Sequence, residues 1–418
     1  MDRNTLIELM LEQKKEFEMT EGYVQRRILK NIEGYIELPY IIVITGLRRC
    51  GKSVLLKQVR ETFYKGRPVY YFNFEDDRLS DFKVKDFDLL YETLIEVYGD
   101  SDVFFFDEIQ NIEGWERFVR RMHDRHAKIF VTGSNATMIS KELGTRLTGR
   151  YLPVELYPFS FQEFLDFKGM LGMSLRSVKD RGAIRAAFTD YLVSGGIPEY
   201  LTYGKDIILN TLFDNIIYKD MIVRYELTDE KAVKDLAMYL LSNYSTEISF
   251  NGLKNMLNLG SPNTVKNYLQ YMENAYLAFS VPKFEHSLKK QIYAKKKTYV
   301  IDSGLVRVKS MKFLKDAGRL LENIVFLELK RSGWSVYFYK GAQECDFILA
   351  KDKNISSAIQ VSLNLDTSKQ REYGGLSEAM SELKLKEGLI LTQDTEFEDK
   401  IDGKCIIVKP VWKWLLEK

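Results

Sequence analysis

The sequence is poor in the residues that build covalent frameworks and soft-metal sites. Among 418 residues there are three cysteines, Cys50, Cys345 and Cys405, and three histidines. The cysteines lie far apart, so there is neither a disulfide framework nor a zinc-ligand spacing, and a reducing cytoplasm is the expected location. Eight prolines, no Gly/Ser-rich run, no low-complexity tract and no internal repeat exclude long flexible linkers. No stretch approaches the roughly 20 apolar residues of a spanning helix. The N-terminus is charged within its first three residues and again from Glu8, so it lacks the apolar segment of an export signal. An excess of one charge is missing too. Lys+Arg number 61 against 59 Asp+Glu, a net +2, so any nucleic-acid surface has to be a local patch.

What remains is an ordinary globular composition, 45% hydrophobic and 29% charged. At roughly 150 residues per domain the length corresponds to about 2.8 domains. Leu6, Ile7, Met10, Leu11 and Phe17 recur at helical spacing and predict an amphipathic N-terminal helix.

The chemistry begins at Tyr40. The apolar run Ile41 to Ile44 predicts a buried strand, and Gly46 to Ser53, GLRRCGKS, matches G-x-x-x-x-G-K-[ST] at every fixed position. Val54, Leu55, Leu56, Val59 and Phe63 then predict a helix. In this strand–loop–helix context Gly46 and Gly51 let the backbone curl, so that the N–H groups of Leu47, Arg48, Arg49, Cys50, Gly51, Lys52, Ser53 and Val54 can face phosphate oxygens at the positive end of a helix. Lys52 supplies a mobile charge for the β- and γ-phosphates of ATP or ADP, and the Ser53 hydroxyl can ligate Mg²⁺. A second apolar run, Val103 to Phe106, ends in Asp107-Glu108, the Walker B pattern. There Asp107 is expected in the Mg²⁺ shell and Glu108 as the general base acting on water. A third strand, Lys128 to Gly133, runs into Ser134 and Asn135. Arg146 and Arg150, in LGTRLTGR, are the candidate arginines for transition-state charge, in cis or from a neighbouring subunit. The strand Val69 to Phe74 ends in an acidic cluster, Glu75 to Asp77.

GLRRCGKS, FFFDEIQ, VTGSNA and TGRYLPVELYPFSFQEF together resemble the archaeal-type ATPase family within the AAA+/STAND-like P-loop ATPases, from about residue 20 to the C-terminus. YLVSGGIPEYL, Tyr191 to Leu201, is similar to the Gly-Gly-x-Pro-Glu element of that family's helical lid. The resemblance implies that Ser134 or Asn135 acts as a polar sensor of the γ-phosphate.

From Glu230 the pattern is helical: 231–245, then Ser249 to Leu259, then SPNTVKNYLQYMENAYL with Ser261 as N-cap and Pro262 at the first helical position. Val265, Leu269, Met272 and Tyr276 make its apolar face. Strands are expected at Ala278 to Phe284, Ile292-Tyr293 and Thr298 to Ile301, a winged helix with a basic hairpin. Between residues 282 and 309, Lys283, Lys289, Lys290, Lys295, Lys296, Lys297, Arg307 and Lys309 stand against Glu285 and Asp302, a local +6. Asn263, Lys266 and Asn267 are then expected to face DNA, with no arginine there to read guanine; the same fold serves protein contact equally well.

The tail reads as helix (318–334), strand (336–339), Asp-bearing strand (343–349) and a further strand (358–362). It resembles a restriction-endonuclease-like, PD-(D/E)xK domain of unknown function. By position Glu322 and Asp346 are its acids, while Gln360 and Ser362 stand where Glu and Lys are expected, so nuclease activity is not expected.

The expected fold class is therefore α/β: an N-terminal helix and P-loop core (1–160), a helical lid (161–228), a winged helix (229–310) and the nuclease-like tail (311–418). The expected function is a Mg²⁺-dependent ATPase working as a nucleotide-controlled switch, with ATP as ligand, DNA or a protein (a second copy included) as partner, and no membrane. The alternatives are an ATP-gated DNA-binding or nuclease effector and a signalling scaffold.

Overall fold

The computed structural model describes residues 1–19, 22–135, 149–310, 316–352 and 354–417. The chain divides into two compact units, Met1–Tyr157 and Pro158–Lys418.

In the first unit, five strands form a wholly parallel sheet: β1 (Ile41–Gly46), β2 (Tyr70–Asn73), β3 (Val103–Asp107), β4 (Lys128–Gly133) and β5 (Tyr151–Leu156), in the order β2-β3-β4-β1-β5. Among the described residues five helices accompany them: α1 (Arg3–Glu18), α2 (Leu29–Glu33), α3 (Lys52–Phe63), α4 (Phe87–Tyr98) and α5 (Glu116–His123). The strands read as unbroken apolar runs because both faces are covered. Phe104 and Phe106 pack with Tyr70, Phe72, Phe87 and Phe118 on one side. Phe105 stacks on Phe130 on the other, ring centres 4.8 Å apart.

α1 buries Leu6, Leu9, Met10, Gln13 and Phe17; Leu11, expected on that face, is 52% exposed. Gln13 is the unexpected member. Its amide donates to the Asn73 carbonyl (3.0 Å) and accepts from the Asn73 N–H (2.9 Å), so a side chain finishes the edge of β2 as a neighbouring strand would. Phe17 lies flat on Tyr71 at 3.9 Å.

The order of the strands positions the site. In parallel sheets ligands meet the C-terminal strand ends. β4 lies between β1 and β3, so the loop after β1, the acids after β3 and the polar end of β4 all emerge on one edge. Gly46 is required by a close approach: a Cβ there would sit 2.1 Å from the Leu156 carbonyl oxygen of its neighbour in register.

The second unit begins with helices Phe161–Phe167, Val178–Ser194, Pro198–Tyr203 and Asp206–Asn215, the last continued by a π-helical stretch, Ile216–Val223. Between the second and third, Gly195 (φ 72°) and Gly196 make the close turn read from the sequence. The buried Asp302 carboxylate accepts from the Gly196 N–H at 2.7 Å, and a Cβ on Gly195 would fall 2.3 Å from its oxygens. Pro198 opens the next helix.

Helices Glu230–Ser242, Phe250–Met256 and Pro262–Asn274 follow, with a three-stranded antiparallel sheet of β6 (Thr246–Ile248), β7 (Ala278–Pro282) and β8 (Lys296–Val300), ordered β6-β8-β7. Ser261 caps the third helix, accepting from the Asn263 N–H. The expected strand at Ile292-Tyr293 is instead a short helix, Leu288–Tyr293. Leu288 and Ile292 are one helical turn apart, which the alternation reading overlooked.

After helices Ser303–Lys309 and Ala317–Arg331 comes a six-stranded sheet: β9 (Ser335–Lys340), β10 (Glu344–Lys351), β11 (Asn354–Ser362), β12 (Glu387–Thr392), β13 (Phe397–Ile401) and β14 (Lys404–Pro410), ordered β13-β14-β12-β11-β10-β9. β9, β10 and β11 are antiparallel, β11, β12 and β14 parallel, and helix Leu365–Glu382 packs against β10, β11 and β12. Among the described residues no helix is long and apolar enough to cross a membrane.

Candidate functional site

The loop from Gly46 to Ser53 turns between β1 and α3, with Gly51 at φ 99° and Arg49 at φ 62°. Leu47 and Cys50 are buried, Arg49 and Ser53 exposed, and Val54 half-buried on the first turn of α3. Arg48 is tied to Glu75, 3.2 Å away, which places the acidic cluster after β2 beside the loop.

Lys52 is 5% exposed, and its ammonium meets Glu108 Oε1 at 3.2 Å, with the Gly46 and Leu47 carbonyls at 3.5 and 3.4 Å. Burial works against the charge on each partner, but the pair prevails: Glu108 is held below the ordinary glutamate value and Lys52 above the ordinary lysine value. Glu108 follows β3 at φ 50°, a left-handed conformation that a non-glycine residue adopts at a cost. Its N–H donates to Thr132 Oγ1 at 2.9 Å, and Gln110 donates to its other carboxylate oxygen.

Asp107 is 1% exposed, and burial together with the neighbouring Glu108 charge raises its pKa. The Thr132 hydroxyl donates to Oδ1, the Tyr71 hydroxyl to Oδ2 (3.3 Å), and the Ser53 hydroxyl is hydrogen-bonded to the same carboxyl. A carboxylate and a hydroxyl side by side are hard oxygen ligands of the kind that suits Mg²⁺. Ser134 and Asn135 are buried at the end of β4, on the same edge of the sheet.

The two arginine candidates fare differently. Arg146 lies outside the described residues. Arg150 precedes β5, whose first residue Tyr151 is in register with Ile41. It therefore stands about 20 Å along the strands from Gly46, at roughly 3.3 Å per residue, and pairs with Asp124 at 2.9 Å. Within one chain Arg150 thus sits at the N-terminal end of a parallel strand, away from the loop, and only its role from a neighbouring subunit stays open to it.

Arg26 joins the loop from behind. The guanidinium, 4% exposed, donates to the Cys50 carbonyl (2.8 Å) and the Tyr157 carbonyl (2.6 Å). In a trans peptide the C=O and the following N–H point oppositely. Holding the Cys50 carbonyl therefore turns the Gly51 N–H away from Arg26. Sequence analysis gave Arg26 no role. It missed Thr132 and Tyr71 entirely, although each is a hydroxyl interrupting an apolar strand.

In the second unit, Asn263, Lys266 and Asn267 are exposed, and the basic segment is partly taken up by ion pairs. Lys283 pairs with Glu285, Lys295 with Glu247 and Arg307 with Asp206, while Lys297 is 3% exposed and surrounded by carboxylates. Lys289, Lys290 and Lys295 remain exposed. Glu322, Asp346, Gln360 and Ser362 do come together, in the wall of one cavity of about 1080 Å³.

Residues 39–165 match a family model described as an AAA domain. Residues 185–315 and 317–414 match two domains of unknown function, DUF8612 and DUF4143. An uncharacterized protein of Methanocaldococcus jannaschii is 34% identical over 395 residues, 90% of this chain and 88% of the relative. Another from Haemophilus influenzae is 32% identical over 349 residues, 80% and 84% of the two chains. Among solved structures, DnaA from Aquifex aeolicus bound to AMPPCP is matched at 16% identity over 61% of this chain and 89% of that one. Its TM-score of 0.28 is too low to carry an argument.

Proposed function

Because this chain belongs to the AAA-domain P-loop ATPase family of those two relatives, we propose that it is a Mg²⁺-dependent ATPase whose nucleotide cycle is a switch centred on Lys52. The observation that carries this reading is the buried Lys52–Glu108 pair at 3.2 Å. In this arrangement the phosphate-binding cation and the general base neutralise each other. The phosphates of ATP are stronger partners for Lys52 than one carboxylate. Their arrival draws the ammonium away and leaves Glu108 free to orient a water and take its proton. Backbone N–H groups from Leu47 to Val54 receive the phosphate oxygens, with Arg26 holding the loop in place behind them. Ser53 and Asp107 would hold the Mg²⁺, which when bound neutralises charge on the β- and γ-phosphates. Ser134 and Asn135 are the candidates for sensing the γ-phosphate.

The helices and small sheet between Glu230 and Val300 have the order of a winged helix. We assign this part to contact with a protein rather than DNA, since four of the eight basic residues between 282 and 309, Lys283, Lys295, Lys297 and Arg307, are engaged in pairs within the chain. The decisive test is ATP binding and hydrolysis by the full chain and its Lys52→Ala variant. Binding or turnover is expected to disappear; an ATPase rate equal to the parent's would remove the assignment.

A further inference from the structure

Lys297 lies on β8, yet its ammonium is held by three carboxylates from elsewhere in the second unit: Glu322 on helix Ala317–Arg331 at 2.8 Å, and Glu344 and Asp346 on β10, both at 2.9 Å. Glu344 and Asp346 are two residues apart in a strand, so they share one face. The carboxylates are aimed from outside the cluster. The Val361 N–H donates to Asp346 Oδ2 at 3.0 Å and the Tyr299 hydroxyl to Glu322 Oε1 at 2.6 Å. Gln360 accepts from the Asp346 N–H at 3.1 Å and donates to Glu372 at 2.6 Å. Convergent carboxylates oriented by outer donors are how a protein builds a hard-cation site. Here the point of convergence is filled by a lysine. The cluster is not sealed: Lys297, Glu322, Glu344 and Asp346 all line the cavity of about 1080 Å³.

We propose that Lys297 is a built-in cation, an ammonium occupying the position a divalent metal would take between Glu322, Glu344 and Asp346 and keeping that position metal-free. Three oxygens converge on one nitrogen at 2.8–2.9 Å. A divalent ion would draw them in to about 2.0–2.6 Å, which requires the ammonium to leave. The serine at position 362, where the tail's resemblance leads one to expect a lysine, thus has a counterpart in space: the positive charge comes from β8, 49 positions before Asp346 in the chain. Divalent-ion chemistry at these carboxylates is blocked for as long as Lys297 stays in place. This inference does not depend on the ATPase reading.

The test uses the nucleotide-free full chain and Mn²⁺, followed by electron paramagnetic resonance. Mn²⁺ uptake by the parent protein should be unaffected by Asp346→Asn. Lys297→Met keeps an unbranched stem one atom shorter and removes the charge; it should take up one further Mn²⁺ per chain, lost again when Asp346→Asn is added. Lys297→Arg, which keeps the charge, should gain none. Removing the ammonium leaves buried carboxylates uncompensated, so where Lys297→Met does not fold alone it is refolded with Mn²⁺ present, and rescue by the ion is the expected result. A folded Lys297→Met chain without extra Mn²⁺, an unfolded one that saturating Mn²⁺ does not rescue, or parent uptake that Asp346→Asn abolishes would each overturn the proposal.

Discussion

Glu108→Gln separates the two duties assigned to that residue. At 3.2 Å and an effective dielectric of about 20, the Lys52–Glu108 attraction is about 5 kcal/mol before desolvation is subtracted. A glutamine retains a hydrogen bond to Lys52 worth about 1 kcal/mol, and it no longer repels the incoming γ-phosphate. Much of the gross attraction offsets the cost of burying both charges, so a net gain in nucleotide affinity of about 1.4–3 kcal/mol is expected. That corresponds to ATP binding roughly ten- to hundredfold tighter. Hydrolysis should meanwhile stop, because the amide cannot accept the water's proton. Calorimetric titration with Mg²⁺ and ATP, beside steady-state phosphate release, reads both quantities on the same preparation. An affinity equal to or weaker than the parent's in a folded variant refutes the competition argument. Persistent turnover refutes Glu108 as the base.

Three further perturbations test other parts of the structure. Arg26→Ala removes two buried hydrogen bonds from a charged donor, each worth about 1.5–3 kcal/mol. The ATP Kd should rise about tenfold or more, whereas a lower Tm with Kd within about twofold of the parent would make Arg26 merely structural. Glu322 is raised to about 7 by burial and by the Asp346 charge, against the opposing Lys297 ammonium and Tyr299 hydroxyl. Its protonated form is thus favoured by folding: the stabilisation is complete below the unfolded value near 4.5 and is lost as pH rises through 7. Denaturant unfolding at pH 5 and pH 8 should show this loss, and Glu322→Gln should reduce it; an identical pH difference in the variant would contradict the assignment. Finally, with Lys266, Lys289, Lys290 and Lys295 as the exposed cations of this segment and its neighbouring helix, any duplex DNA affinity should fall with a log–log salt slope no steeper than about −4, at ~0.9 per phosphate. A slope of about −5 or steeper in a band-shift titration would restore the full basic patch.

The legible parts of the molecule were those in which backbone chemistry dictates residue type. GLRRCGKS and FFFDE are legible because a phosphate cradle needs glycines at set positions and a two-faced buried strand needs an unbroken apolar run. Ser261-Pro262 and Gly195-Gly196-Ile197-Pro198 were legible for the same local reason, a cap and a turn. What escaped depends on distant partners. Arg26 acts on carbonyls 24 and 131 positions away, which leave no mark on residue type. The +6 of residues 282–309 was a correct count that overstates the charge at the surface, because Glu247, Asp206, Glu322, Glu344 and Asp346 lie outside the counted window. Ile292-Tyr293 carried strand formers, yet a helix places Lys289 and Lys290 in water.

The AAA model match begins at residue 39, but the sheet does not end where that match does. Gln13 behaves as a one-residue strand substitute along β2, and Phe17 presses on the Tyr71 ring whose hydroxyl reaches Asp107. The first helix is thus at once a guard against edge-to-edge self-association and a lever ending on the acid proposed to hold the metal. A chain trimmed to the matched boundary would lose both together, and its tendency to polymerise and its weakened catalysis would share one origin.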